Sequence, residues 1–238
     1  MTETFWVATD REVVRVSGPD ALTYLQGQVS QDLLPMAIGD RRWTFVLQPT
    51  GKVDVLARVT RTAEDTFVFD VDRGYGDVLA ARLNRFKIRV QVEVEVLPWS
   101  VLCVVGGTDI IGPDVEPPDG VRAGTPEELA AARVADGWPA MGAEIVPGET
   151  IPGETGVVPV AVDFRKGCYP GQELVERMDS RGASAPRSLR ILEVAAGARP
   201  GDPIVHEGAE VGTLTSVAGT TAIGLVKRGV DVGQVPVH

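Results

Sequence analysis

The run "KIRVQVEVEV", residues 87 to 96, alternates without a break: Ile88, Val90, Val92, Val94 and Val96 are apolar, and Lys87, Arg89, Gln91, Glu93 and Glu95 are polar. A period of two sends every apolar side chain to one face of an extended chain, so the protein must build a sheet with one face covered and the other wet. "RRWTFVLQPTGKVDVLARVTR" reads as a hairpin, with Pro49 and Gly51 supplying the turn between two β-rich runs. "EVVRVSG", "DTFVFDV" and "SVLCVVG" supply further strands, the last making Cys103 a core residue. Helices intervene. Pro19 and Asp20 stand at the start of "ALTYLQGQ", "YGDVLAARLNRF" reads as a short helix, and Thr125, Pro126 and Glu128 open "TPEELAAARVADG" as a capping box that Gly137 closes. From about Ser188 the chain turns to short β runs with glycine turns, "EGAE" marking a hairpin, which predicts a small β-barrel or sandwich-like module.

The 238 residues, 44% of them hydrophobic, are enough to bury a real core. No stretch approaches the roughly 18 to 20 apolar residues of a membrane span, and the N-terminus lacks a signal-peptide layout, so a cytoplasmic protein with no membrane partner is expected. Two cysteines and two histidines leave too few ligands for a zinc site or an ordinary iron–sulfur cluster, so no resident metal is expected. A net charge of −10 argues against nucleic acid as a general partner. The charge is unevenly spread. Residues 109 to 163 hold eleven acidic residues against Arg122 and Arg133, whereas 164 to 190 and 73 to 89 form two basic islands. The second island, with Arg82, Arg85 and Arg89, also reads as a solvated face.

The stretch "FRKGCYPGQELVERM", residues 164 to 178, carries the other cysteine. Pro170 and Gly171 suit the centre of a type II turn, with a helix starting at about Gln172. Such a turn holds the Cys168 sulfur near a helix N-terminus, with Arg165 and Lys166 beside it, and both effects favour thiolate. Gly167 allows a close approach by a ligand or a backbone. A passive cysteine in a glycine-rich turn fits the same residues. With no histidine nearby in sequence, a cysteine-protease type of mechanism is not expected.

"KGCYPGQE", followed by Val175 and Arg177, resembles the signature of the YgfZ-type folate-binding proteins, relatives of the glycine cleavage aminomethyltransferase, or T-protein. "VSGPDALTYLQGQVSQDL", "PTGKV", "NRFKIRVQVEV" and "RVADGWP" extend the resemblance, in order, over nearly the whole chain. The resemblance implies an α+β fold: a folate-binding module of two interlocked α+β halves with a small C-terminal β-barrel, around a central opening that takes tetrahydrofolate. The division implied is 1 to 187 for the module, with a break near 100, and 188 to 238 for the barrel. It implies an accessory factor for the assembly or repair of iron–sulfur proteins, whose partners are folate and iron–sulfur clients or assembly factors. Carried over by position, Cys168 and Lys166 are the catalytic candidates, with Gly167, Tyr169, Gly171, Gln172, Glu173 and Arg177 completing the signature. Arg165, Asp54 and Arg89 are candidate folate contacts, a basic lining suiting the anionic glutamate tail. Two alternatives stay open. One is an aminomethyltransferase, which needs a carboxylate after the glycine turn, where Asp54 is the candidate, although a strand aspartate facing water fits as well. The other is a non-catalytic interaction module docking through the acidic stretch.

Overall fold

The structure is a computed structural model that describes residues 3 to 180, 185 to 236 and 238. Strand β1 (Phe5–Thr9) leads into β2 (Glu12–Ser17) and helix α1 (Ala21–Gln26). The hairpin follows as β3 (Arg41–Leu47) and β4 (Val53–Ala63), then β5 (Thr66–Val71), α2 (Gly76–Arg85) and β6 (Glu93–Leu97). The middle of the chain holds β7 (Ser100–Val105), β8 (Ile110–Gly112), β9 (Arg122–Ala123) and α3 (Pro126–Asp136). Helices α4 (Val158–Ala161) and α5 (Gln172–Ser180) precede β10 (Arg187–Glu193), β11 (Pro203–His206), β12 (Ala209–Ala218) and β13 (Thr221–Lys227).

Three sheets result, ordered β3-β4-β5-β2-β6, β8-β7-β1-β9 and β10-β13-β12-β11. The two halves interlock because β1 pairs antiparallel with β7, from the middle of the chain, while β2, three residues later, enters the five-stranded sheet. In the β3–β4 hairpin both faces are dry. Val46, Val55, Ala57 and Val59 pack with α1 and α2 in one core, while Phe45, Leu47, Val53 and Leu56 pack with Tyr169 and Val175 in another. This is why the hairpin reads as near-continuous apolar runs.

The long alternation of residues 87 to 96 is only half a strand. Pairing of β2 with β6 ends at Ser17 opposite Glu93, and beyond it Gln91 is held outside the ladder, its N–H donating to the Asp20 carboxylate at 2.7 Å. As an edge strand, β6 has no second neighbour, so residues before Glu93 have no ladder to join. Ile88 is consequently exposed and Arg89 takes a left-handed backbone with φ of 56°. The expected capping box at α3 is present, with the Thr125 side chain accepting from the Glu128 N–H and Gly137 left-handed at the C-cap. At the C-terminus the described strands make an open four-stranded antiparallel sheet. No ladder among the described residues joins β11 to β10, so the closure expected of a barrel is not part of it. Val134 of α3 packs with Leu189 and Ile223 of this sheet.

Candidate functional site

The signature turn interlocks with the hairpin turn. Gly171 has φ of +83°, the value a type II turn needs, and a Cβ there would lie 2.4 Å from the Gln48 carbonyl oxygen. Gly51 has φ of +85°, and its Cβ would lie 2.4 Å from Leu174. Neither turn accepts a side chain at its glycine. Gln172 caps the same turn, its Oε1 accepting from the Tyr169 N–H at 2.8 Å, and the Tyr169 ring is buried below, where burial holds its phenol above the ordinary range. Around a Gly167 Cβ, by contrast, there is nothing within 4 Å, so no backbone packs against it.

Lys166 turns inward. Its ammonium donates to the carbonyls of Gln26 (2.8 Å), Val29 and Gln31 (2.9 Å), in the loop leaving α1, and lies 5.2 Å from the Tyr169 ring centre. Burial pushes its pKa down to about 8, with Asp32 and Asp163 opposing. Cys168 turns outward and is exposed, as are Glu173 and Arg177, and Arg165 is almost fully exposed with Asp163 at 3.8 Å. Arg181, the remaining cation of this stretch before Arg187, lies outside the described residues.

Asp54 does not face water. Val55 pairs with Val46 and Val53 with Leu47, which leaves Asp54 as the extra residue of a bulge. The bulge aims its carboxylate at Gln48 Nε2 (2.8 Å) and Arg82 Nε (3.3 Å). Arg82 is buried, donates to the Leu47 carbonyl at 2.8 Å and covers the Phe86 ring at 3.9 Å. Burial lowers its pKa, with Asp54 opposing. Arg82 also reaches toward Gln28 at 3.5 Å, so the two basic islands meet on either side of residues 26 to 31, but through cations already bonded within the protein.

The large cavity lies elsewhere, where the three sheets come together, with a volume of about 1100 Å³. Its wall draws on β1 and the turn after it (Asp10, Arg11), on β3 and β4 (Trp43, Arg58), on β7 (Cys103), on α3 and Trp138, and on Ile191 and His238 of the C-terminal part. None of Cys168, Lys166, Arg165, Asp54 and Arg89 lines it. Two arginines share one buried carboxylate in its wall: Arg11 Nε reaches Asp70 at 2.8 Å and Arg58 Nε reaches it at 2.9 Å. Arg11 continues to Asp72, and Arg58 to Asp109. Burial alone would lower both guanidinium pKa values, but these carboxylates raise them, so both stay charged. Both lie over Trp43, at 5.8 Å and 5.5 Å from its ring centre, and Trp43 meets Trp138 at 4.6 Å. His238 stands edge-on to Trp138 at 4.9 Å, and burial lowers its pKa. Cys103 is half-buried: it packs against the core of Val13, Val68, Leu97 and Val101 and also lines this wall, and burial and Asp109 raise its thiol to about 11.

These cavity residues escaped the sequence reading. A signal existed for some of them: Asp70 and Arg58 are charges inside apolar runs, "TFVFDV" and "VDVLARV", and a buried charge requires a partner.

Comparison with solved structures gives a glycine cleavage system aminomethyltransferase T from Bartonella henselae, at a TM-score of 0.74 and 18% identity, over 95% of this chain and 79% of that one. The "tRNA-modifying protein YgfZ" of Edwardsiella ictaluri is 27% identical over 72% of this chain and 65% of its own length. The chain is thus similar, over most of its length, to YgfZ-type proteins, and shares the fold of the T-protein. Another relative, the "iron-sulfur cluster assembly factor IBA57 homolog, mitochondrial" of Pyricularia oryzae, is 28% identical over 98% of this chain and 68% of its own length. A Haemophilus influenzae protein of uncharacterized function is 27% identical over 78% of this chain. No family model matches the chain. Among its described residues, no helix is long and apolar enough to cross a membrane, and no group of three or more His, Cys, Asp or Glu could hold a metal.

Proposed function

We propose that this chain is a tetrahydrofolate-binding accessory factor for the assembly or repair of iron–sulfur proteins, with its ligand site and its reactive thiol in different places. The observation that carries the ligand site is the cavity of about 1100 Å³ between the three sheets. Sites for drug-sized ligands are apolar clefts of roughly 300 to 1,000 Å³ with a few polar groups, so a reduced folate fits by size. The chemistry of the wall also fits. The Trp43–Trp138 pair offers aromatic faces to a flat ring, and the exposed Asp136 carboxylate, which interacts electrostatically with His238, stands on the same wall. That carboxylate accepts the N–H groups on the ring edge of a pterin. When bound, the folate supplies one-carbon or reducing chemistry; the chain supplies the pocket, the stacking faces and the acceptor.

Cys168 acts outside this cavity. Its exposure at a turn fixed by Gly171 and Gln172 suits a thiol that meets a client protein, with Lys166 anchoring the turn. The relatives named for iron–sulfur cluster assembly support a client of that class. An aminomethyltransferase reading is less well supported, because Asp54 is held by Arg82 and does not line the cavity. The test is a cell lacking the protein, complemented with the wild type or with Cys168→Ser, in which iron–sulfur enzyme activities are measured. Restoration by the wild type and failure of Cys168→Ser are expected. Equal restoration by both removes the thiol from the account and favours a non-catalytic interaction module.

A further inference from the structure

The charges of the cavity wall do not suit the anionic end of a folate. Its charged residues are Asp10, Asp72, Asp109 and Asp136 against Arg11, Arg58 and Arg133, four negative and three positive. Burial lowers the pKa of His238 and so disfavours a positive charge there. All three arginines are already held. Arg11 and Arg58 are bonded to Asp70, Asp72 and Asp109, and Arg133 is bonded to the buried Glu144 at 3.0 Å and to Ser216 at 2.7 Å. Withdrawing Arg133 toward a ligand carboxylate would leave the buried Glu144 without its cation, and Arg11 and Arg58 are each tied to two carboxylates, the shared Asp70 and one of their own. Asp70 and Glu144 are both inaccessible to solvent, so neither can exchange its arginines for water.

We infer that the cavity recognises the flat ring end of a reduced folate and gives no cationic grip to its glutamate tail, so that it does not select for added γ-glutamates. The inference rests on the folate reading above. It departs from the basic lining expected for an anionic tail: Arg165 and Arg89 lie off the cavity wall, and the exposed Arg73 beside it is paired with the wall residue Asp10 at 3.3 Å.

Anaerobic calorimetry on the full chain tests it, comparing tetrahydrofolate with its triglutamate at low and moderate salt. The expected result is saturable binding of both, with dissociation constants within about twofold of each other and little salt dependence, because no net ion pair forms. A triglutamate that binds tenfold or more tightly, with the advantage lost in salt, overturns the inference while leaving the folate reading intact. Binding of neither compound overturns both. A gain-of-function variant adds a second arm: Asp10 lies on the cavity wall and is largely exposed, so Asp10→Lys is compatible with the fold. It should create a triglutamate preference of several-fold at low salt. If the wild type already shows that preference and Asp10→Lys does not increase it, a cationic grip exists and the inference is wrong.

Discussion

Burial pulls the Lys166 ammonium toward neutrality while three carbonyls hold its proton in place. Its pKa of about 8 in the folded chain lies below the ordinary 10.5, so between those values folding releases a proton that the unfolded chain retains. Stability attributable to Lys166 therefore rises with pH across that window, and the burial cost is fully present below it. Thermal melts of the wild type and Lys166→Met from pH 7 to 10 should show a gap in melting temperature that shifts in favour of the wild type as pH rises. A pH-independent gap would remove the titration from the account. Asp54 makes a second case at this scale. Replacing it with alanine leaves Arg82 buried and unpaired, at a cost of about 3 kcal/mol, measurable by urea unfolding. An aspartate facing water, as the sequence suggested, would cost almost nothing. The sequence could not show this because the orientation of Asp54 depends on one bulge, and a slip of one residue moves a strand side chain to the other face.

Most elements were legible where local chemistry decides. The α3 cap, the "QPTGK" and "EGAE" turns and the type II turn at Gly171 all form, because each rests on residues within a few positions of one another. The alternation of residues 87 to 96 failed for the opposite reason: its first half needed a partner strand that ends at Ser17. Two predictions belong here. Thr125→Ala removes the α3 cap and should destabilise by about 1 kcal/mol in denaturant unfolding. Gly171→Ala meets both a positive φ and the Gln48 carbonyl at 2.4 Å. It should cost more than the roughly 1 to 3 kcal/mol of backbone strain alone, and faster proteolysis between α4 and α5 should report the loosened turn.

The whole molecule separates what the sequence had joined. The motif "KGCYPGQE" put the thiol and the lysine in one expected site, with Arg165, Asp54 and Arg89 as candidate folate contacts from other stretches. In the fold, Lys166 faces the α1 loop, Cys168 faces outward and the cavity is walled by residues from all three sheets. No local pattern reports such a wall, since Arg11, Trp43, Cys103, Trp138 and His238 are distant in sequence. The C-terminal sheet is fastened to the rest through Arg133, Glu144 and Ser216 and through Glu154 with Arg187. The measurement that tests this separation most directly is an anaerobic tetrahydrofolate titration of three proteins: the wild type, Cys168→Ser, and Ala135→Trp, which fills the cavity from the last turn of α3. The account predicts that Cys168→Ser binds as the wild type does and that Ala135→Trp, with an unchanged melting temperature, does not bind. Loss of binding in Cys168→Ser with binding retained in Ala135→Trp would place the ligand at the signature turn and contradict it.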